Sequence, residues 1–361
     1  MVKLKKKDKS WRKVRRKLAR NIYLTRFLFF SLLIGVVVLS VSWLLPSVYR
    51  LGKGVFRETS FIGSGIPEDL KSTNGRVNFL LLGAGGLDHQ GADLTDTIIF
   101  FSASLDGQDA LMLSLPRDIW ITSMRAKLNT AYHYGEEKQV GGGLILAKAA
   151  VNEILDQPIH YSFLVDFSGF VKAIDLLGGV EIDVERSFDD YKYPIPGKEN
   201  DLCDGDPEYQ CRYEHLHFEA GPQLMSGEKA LKYVRSRYAE GEEGTDFARS
   251  ERQQRLILAL KDKLFSTETF LNPSKISELV KIFGDHIDTD LAEDDYLPLF
   301  KLVLRFEQKN LRAEVLDGGG ESREGYLLHP TPSAKYDQQW VLVPRTGDWR
   351  VIQEHVASLL R

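Results

Sequence analysis

Cysteine is nearly absent from this chain: among 361 residues only Cys203 and Cys211 occur. They lie eight apart around Gly205 and Pro207, which suits one disulfide closing a loop in an oxidising compartment. Asp204, Asp206 and Glu208 between them would also allow a cation loop, although the spacing is not that of an EF-hand. No Ser-His-Asp or Cys-His constellation is apparent, so nothing points to an activated nucleophile. Internal repeats and low-complexity tracts are missing too, and a second compact domain is not required.

A net positive charge is also missing from most of the chain. The net charge is −4, yet residues 1–26 hold twelve Lys or Arg against Asp8 alone, which is +11 and leaves −15 on the other 335 residues. An acidic body has the wrong sign for nucleic acid, so no nucleic-acid partner is expected. Residues 27–45 carry no charge and include fourteen Leu, Ile, Val and Phe. As a helix they would span roughly 28 Å, close to the hydrocarbon thickness of a bilayer. The run is long for a cleaved leader and no clear small-x-small site follows it. The expectation is a single-pass signal anchor in the cell membrane, with a cytoplasmic tail over 1–26 that touches anionic lipid headgroups. A Gly-bearing stalk over 46–75 and an extracytoplasmic body over 76–361 follow.

The body reads as α/β. Short apolar runs at 77–82, 97–104 and 110–115 have the character of buried strands. Asp106-Gly107 between the last two signals a two-residue hairpin turn. Pairing Leu105 with Gln108 makes every paired sum 213, which sets Asp96 opposite Arg117 at one end of the sheet. A plain ion pair is the simpler reading of that juxtaposition. Helices are predicted over 143–155, 167–177, 225–234, 246–265, 274–283, 291–306 and 349–360, with strands over 161–165, 180–184, 311–316 and 340–343. The alternation of strand and helix is that of α/β proteins. The 188–220 stretch, rich in Tyr, Pro and charge, has little periodicity and reads as a surface excursion or lid.

Arg235-Ser236-Arg237 is the stretch with most chemical promise. Residues two apart diverge on a helix and share a face on an extended chain, so a helix ending near Val234 would aim both guanidiniums at one ligand. Forked, permanent cations suit phosphate oxygens; a solvated helix end is the bland alternative. On the 246–265 helix, Asp246, Arg249 and Gln253 fall on one side at i, i+3 and i+7, above Leu256, Leu260 and Leu264. Arg252 and Arg255 point elsewhere and are expected at the surface.

Several of these stretches stand in a recognisable order. Asn78-Phe79-Leu80-Leu81-Leu82-Gly83, Leu94-Thr95-Asp96-Thr97, Leu115-Pro116-Arg117-Asp118 and Lys127-Leu128-Asn129-Thr130-Ala131-Tyr132 come first. Leu177-Gly178-Gly179-Val180, Gly227-Glu228-Lys229-Ala230-Leu231, Arg235-Ser236-Arg237 and Asp246-Phe247-Ala248-Arg249-Ser250-Glu251-Arg252-Gln253-Gln254 follow. Over about residues 76–265 this string resembles the LytR-CpsA-Psr family of bacterial cell-envelope proteins, and beyond 270 only loosely.

That resemblance implies a three-layer α-β-α fold with a mixed central sheet and a deep apolar pocket for a prenyl chain. It implies a phosphotransferase that moves a glycopolymer from a polyprenyl diphosphate carrier to a peptidoglycan hydroxyl. By the same resemblance Asp96 would hold Mg²⁺; Arg117, Arg235, Arg237 and Arg249 would bind phosphate oxygens; and Lys127, Asp246 and Gln253 would line the site. Two positions depart from the family pattern. Leu94 stands where an arginine is usual, and Gly83-Ala84-Gly85-Gly86 stands where an aspartate usually follows the first strand. Asp93 and Asp88 are then the acids at hand as a second metal ligand, with His89 a poorer one because Mg²⁺ prefers oxygen. Asp118 and Asp246 are the candidate general bases. A prenyl-diphosphate-glycan hydrolase and a non-catalytic envelope regulator are the rival functions. A 26-residue cytoplasmic tail is too small to hold a DNA-binding domain.

Overall fold

The computed structural model describes residues 69–361 apart from 86–92, 199, 307 and 321–322. The basic tail, the 27–45 anchor, nearly all of the stalk, Asp88 and His89 lie outside the described residues. Among the described residues no helix is long and apolar enough to cross a membrane.

Strands β1 (Arg76–Ala84), β2 (Thr95–Ser104), β3 (Ala110–Ser114), β4 (Trp120–Ile121) and β5 (Ala126–Lys127) lead into helices α1 (Ala131–Lys138) and α2 (Gly142–Leu155). Next come β6 (Tyr161–Asp166), α3 (Phe167–Leu176), β7 (Val180–Val184), β8 (Phe188–Pro194), β9 (Tyr213–Phe218) and β10 (Gly221–Met225). Helices α4 (Gly227–Arg235) and α5 (Asp246–Leu264) follow. The C-terminal part supplies α6 (Thr267–Phe270), α7 (Pro273–His286), β11 (Ile287–Thr289), α8 (Tyr296–Arg305), β12 (Leu311–Val315) and α9 (Arg350–Leu359). Side-chain caps mark several helix starts: Asp166 accepts from Gly169 N, Ser226 from Lys229 N, Thr245 from Ala248 N, and Asn272 from Lys275 N with Pro273 behind it.

The central sheet has six strands in the order β11-β6-β1-β2-β3-β12. It is mixed: β1 runs parallel to β6 and antiparallel to β2, and β3 runs parallel to β12. Side chains alternate between its faces. Leu80, Leu82, Phe100 and Leu113 pack on Leu144, Val151 and Ile154 of α2 and on Ile352 and Val356 of α9. Phe79, Leu81, Phe101 and Phe163 face the other way, toward Tyr296, Leu299 and Leu302 of α8. Helices therefore cover both faces, in three layers. A satellite core joins α3, β7 to β10, α4 and Leu256 of α5.

The β2–β3 hairpin keeps the register read from its turn, with Ile99 opposite Ser114 and Ala103 opposite Ala110, each pair summing to 213. Three expectations need correction. The 188–220 stretch is not an irregular excursion: β8 and β9 pair antiparallel across it, and Cys203 and Cys211 form a disulfide in the connecting loop. Its periodicity was hidden because a bulge between Asp190 and Tyr193 breaks the alternation. The 291–306 helix begins only at Tyr296, because Leu291 is buried in the core and its N–H donates to Thr289 Oγ1 (3.1 Å). Arg252 is not a surface residue. It is 1% exposed, and Ser250 on the opposite side of its helix is 2% exposed. Residues two apart lie about 200° around a helix, so α5 is covered on two faces: Ser250 hydrogen-bonds Ser114 of β3, while Arg252 lies over the Phe188 ring of β8.

Candidate active site

The site is built where α4 stops. Its last helical residue is Arg235, and Ser236 leaves the helix at φ −55°, ψ 128°. Ser236 is turned inward and fully buried, which leaves Arg235 and Arg237 to project outward from either side of it, and both line one cavity. The inward turn is held from two directions. The Ser236 hydroxyl donates to Asp190 Oδ2 (2.6 Å), and the same oxygen accepts Arg237 N–H and Tyr238 N–H (3.2 Å each). On the other side Arg252 donates to the Ser236 carbonyl (2.8 Å) while its second nitrogen holds the Glu243 carbonyl and carboxylate (2.8 and 2.9 Å). Asp190 is fully buried, a setting that demands such donors.

The sheet contributes the opposite wall. Asp96, near the start of β2, forms an ion pair with Arg117 just beyond β3, and its other oxygen lies 3.6 Å from Arg235. Burial pulls the Arg117 pKa down, but Asp96 and Asp118 outweigh it and hold the guanidinium above its ordinary value. The Arg235 guanidinium lies 4.4 Å from the centre of the Phe167 ring. That ring presses on Gly83, where a Cβ would come within 3.2 Å of it and 3.1 Å of Thr97; glycine at the end of β1 makes room for the support under Arg235.

The cavity holds about 150 Å³ and is lined by Asp96, Arg117, Arg235, Arg237, Arg249 and Gln253, together with Thr97, Asp190, Tyr193, Pro194, Val234 and Tyr238. Four guanidiniums against two carboxylates leave an excess of two positive charges, and Asp190 is committed to its own donors. Such a hollow calls for an anion. Asp246 opens α5 one turn before Arg249.

Other expected residues stand elsewhere. Lys127 does not line the cavity: its ammonium pairs with Asp118 (2.8 Å), which lies 3.6 Å from Arg117 Nε. Asp118 is thus engaged behind Arg117 and is not placed as a base within the hollow. Asp93 is half-exposed, and its carboxylate lies 3.9 Å from His133. Asp190, Tyr193, Tyr238 and Arg252 were not legible as site or support residues, since each owes its place to the β8–β9 hairpin.

Further along α5, Leu260 and Leu264 border an apolar space of about 170 Å³ with Val165, Phe170 and Phe283. From Gln253 this is about 10 Å along the helix. Phe283 and Ile287 are shared with a larger apolar space of about 600 Å³ beside Phe163, Tyr296 and Leu299.

A family model described as the LytR_cpsA_psr family matches residues 57–342. The chain belongs to the LytR_cpsA_psr family. The match runs well past residue 270, so α6, α7, α8 and β12 are part of the LytR_cpsA_psr domain and not a loose appendage, while α9 lies beyond it. Among its relatives is the polyisoprenyl-teichoic acid–peptidoglycan teichoic acid transferase TagU of Oceanobacillus iheyensis, 28% identical over 69% of this chain and 69% of that protein. The transferase of the same description named TagV, of Bacillus subtilis, is 25% identical over 62% of this chain and 52% of its own length. The crystal structure of B. subtilis TagV shares the fold, with a TM-score of 0.53 at 23% identity over 80% of this chain and 98% of that one.

Proposed function

We propose that this chain is a membrane-anchored, extracytoplasmic phosphotransferase of the LytR_cpsA_psr family. It takes a glycan from a polyprenyl diphosphate and joins it to a peptidoglycan hydroxyl as a phosphodiester. The observation that carries this reading is the convergence of Arg117, Arg235, Arg237 and Arg249 on one hollow with Asp96 at its wall. The named activity of the TagU and TagV relatives supports it. The apolar spaces along α5 and α7 suit a prenyl chain.

In the proposed reaction the acceptor hydroxyl oxygen attacks the phosphorus that bears the glycan, a new P–O bond forms, the bond to the prenyl phosphate breaks, and the hydroxyl proton passes to the departing phosphate. The prenyl phosphate leaves with the electron pair. The arginine forks neutralise charge on the transferring group and the leaving phosphate, each contact contributing roughly 1.5–3 kcal/mol. Asp96 fits Mg²⁺ in the manner of sites where one carboxylate and the substrate's phosphates share the ion. Two arginines now occupy its oxygens, a placeholder a diphosphate would release. The ion, when bound, would supply further charge neutralisation at the diphosphate. Asp93, three residues before Asp96 and 3.9 Å from His133, is the proposed second protein ligand.

The test is incubation of the full-length protein in detergent with a prenyl-diphosphate sugar, with and without Mg²⁺ and a peptidoglycan acceptor. The expected result is a glycan–peptidoglycan adduct that needs both. Phosphate release without acceptor would mean a hydrolase, and lipid bound but unchanged would mean a sensor.

A further inference from the structure

The hollow is lined by two unlike kinds of group: the guanidiniums, and the rings of Tyr193, Pro194 and Tyr238. Tyr193 is 6% exposed, and burial pushes its phenol up, so it serves as packing beneath. Tyr238 is 61% exposed.

A lone exposed aromatic is ordinary on a protein surface. Tyr238 is set apart by how it is held. Its N–H donates to Asp190 Oδ2, a carboxylate with no solvent contact, and Ala239 beyond it forms an antiparallel bridge to Asp190. The exposed ring thus grows from a backbone pinned on both sides, directly after Arg237. Size gives the second reason. At about 150 Å³ the hollow has room for about five water molecules, which a diphosphate fills. Whatever is attached to that diphosphate has to leave over the rim, and the aromatic side of the rim is Tyr238 with Pro194.

We propose that Tyr238 is a sugar platform: the pyranose joined to the diphosphate lies with its C–H face against the Tyr238 ring as it leaves the hollow. This rests on the diphosphate reading above. Such stacking buries apolar area on a rigid ring and does not use the phenol hydroxyl. Another flat aromatic can therefore replace Tyr238 and a small side chain cannot.

The test is equilibrium binding of two probes to the full-length protein in detergent: farnesyl diphosphate, and farnesyl diphosphate carrying N-acetylglucosamine. Tyr238→Ala is expected to weaken the sugar-bearing probe by about 3–10-fold and leave the sugarless one as in the wild type, with Tyr238→Trp restoring the difference. Equal loss on both probes would make Tyr238 a mere support for Arg237 and overturn the proposal, as would no loss on either. If the wild type binds neither probe, the diphosphate reading falls and the platform with it. The failure of the platform alone is thereby distinguished.

Discussion

Arg237→Ala is expected to lower turnover by about 10²–10³-fold, the range found when one pre-aimed donor to a developing charge is removed. The fold should hardly notice. Arg237 contributes to the buried clamp through its backbone N–H, which donates to Asp190 and which alanine retains. Its side chain faces the hollow. Turnover measured beside a thermal melt separates the two: a large kinetic loss at unchanged melting temperature is the predicted outcome. Wild-type turnover in the variant would remove Arg237 from the site.

The second large effect is on stability. Arg252 lies between the rings of Phe188 and Tyr233, 4.8 and 5.9 Å from their centres, and holds Glu243 and the Ser236 carbonyl. Arg252→Ala takes one charge from a buried pair and leaves the Glu243 carboxylate, at 8% exposure, without that partner. Losses of about 3–5 kcal/mol follow from such a break, a fall in melting temperature on the order of 10 °C. Arg252→Lys is expected to recover little, because one ammonium cannot span acceptors on Ser236 and Glu243 that two separate nitrogens reach. A denaturant midpoint equal to wild type for Arg252→Ala would show that the buried pair contributes nothing.

The two residues also show what could be read in advance. The facing of Arg235 and Arg237 needed only the stop of one helix, a local event. The approach of Asp96 and Arg117 needed only the register of a tight hairpin, set by Asp106-Gly107. Both were legible because few residues intervene. Arg252 looked like a surface residue because a helix pattern shows which sides differ, not how many are covered. The second cover on α5 is the β8–β9 hairpin, whose own alternation is broken by its bulge. Asp190 was hidden for the same reason: its value lies in donors 46 to 48 residues away. Lys127 was drawn into the site by resemblance and Asp118 as a carboxylate able to act as a base, and in the fold they pair with each other beside Arg117.

The central claim is that separate elements deliver arginines to one diphosphate. It is tested most directly by titrating the full-length protein with farnesyl diphosphate and with farnesol, in the wild type and in Arg117→Ala. The diphosphate is predicted to bind much more tightly than the alcohol, and Arg117→Ala to weaken the diphosphate alone by about 10–100-fold. Equal affinity for the two lipids, or an Arg117→Ala variant that holds the diphosphate as the wild type does, would contradict the account.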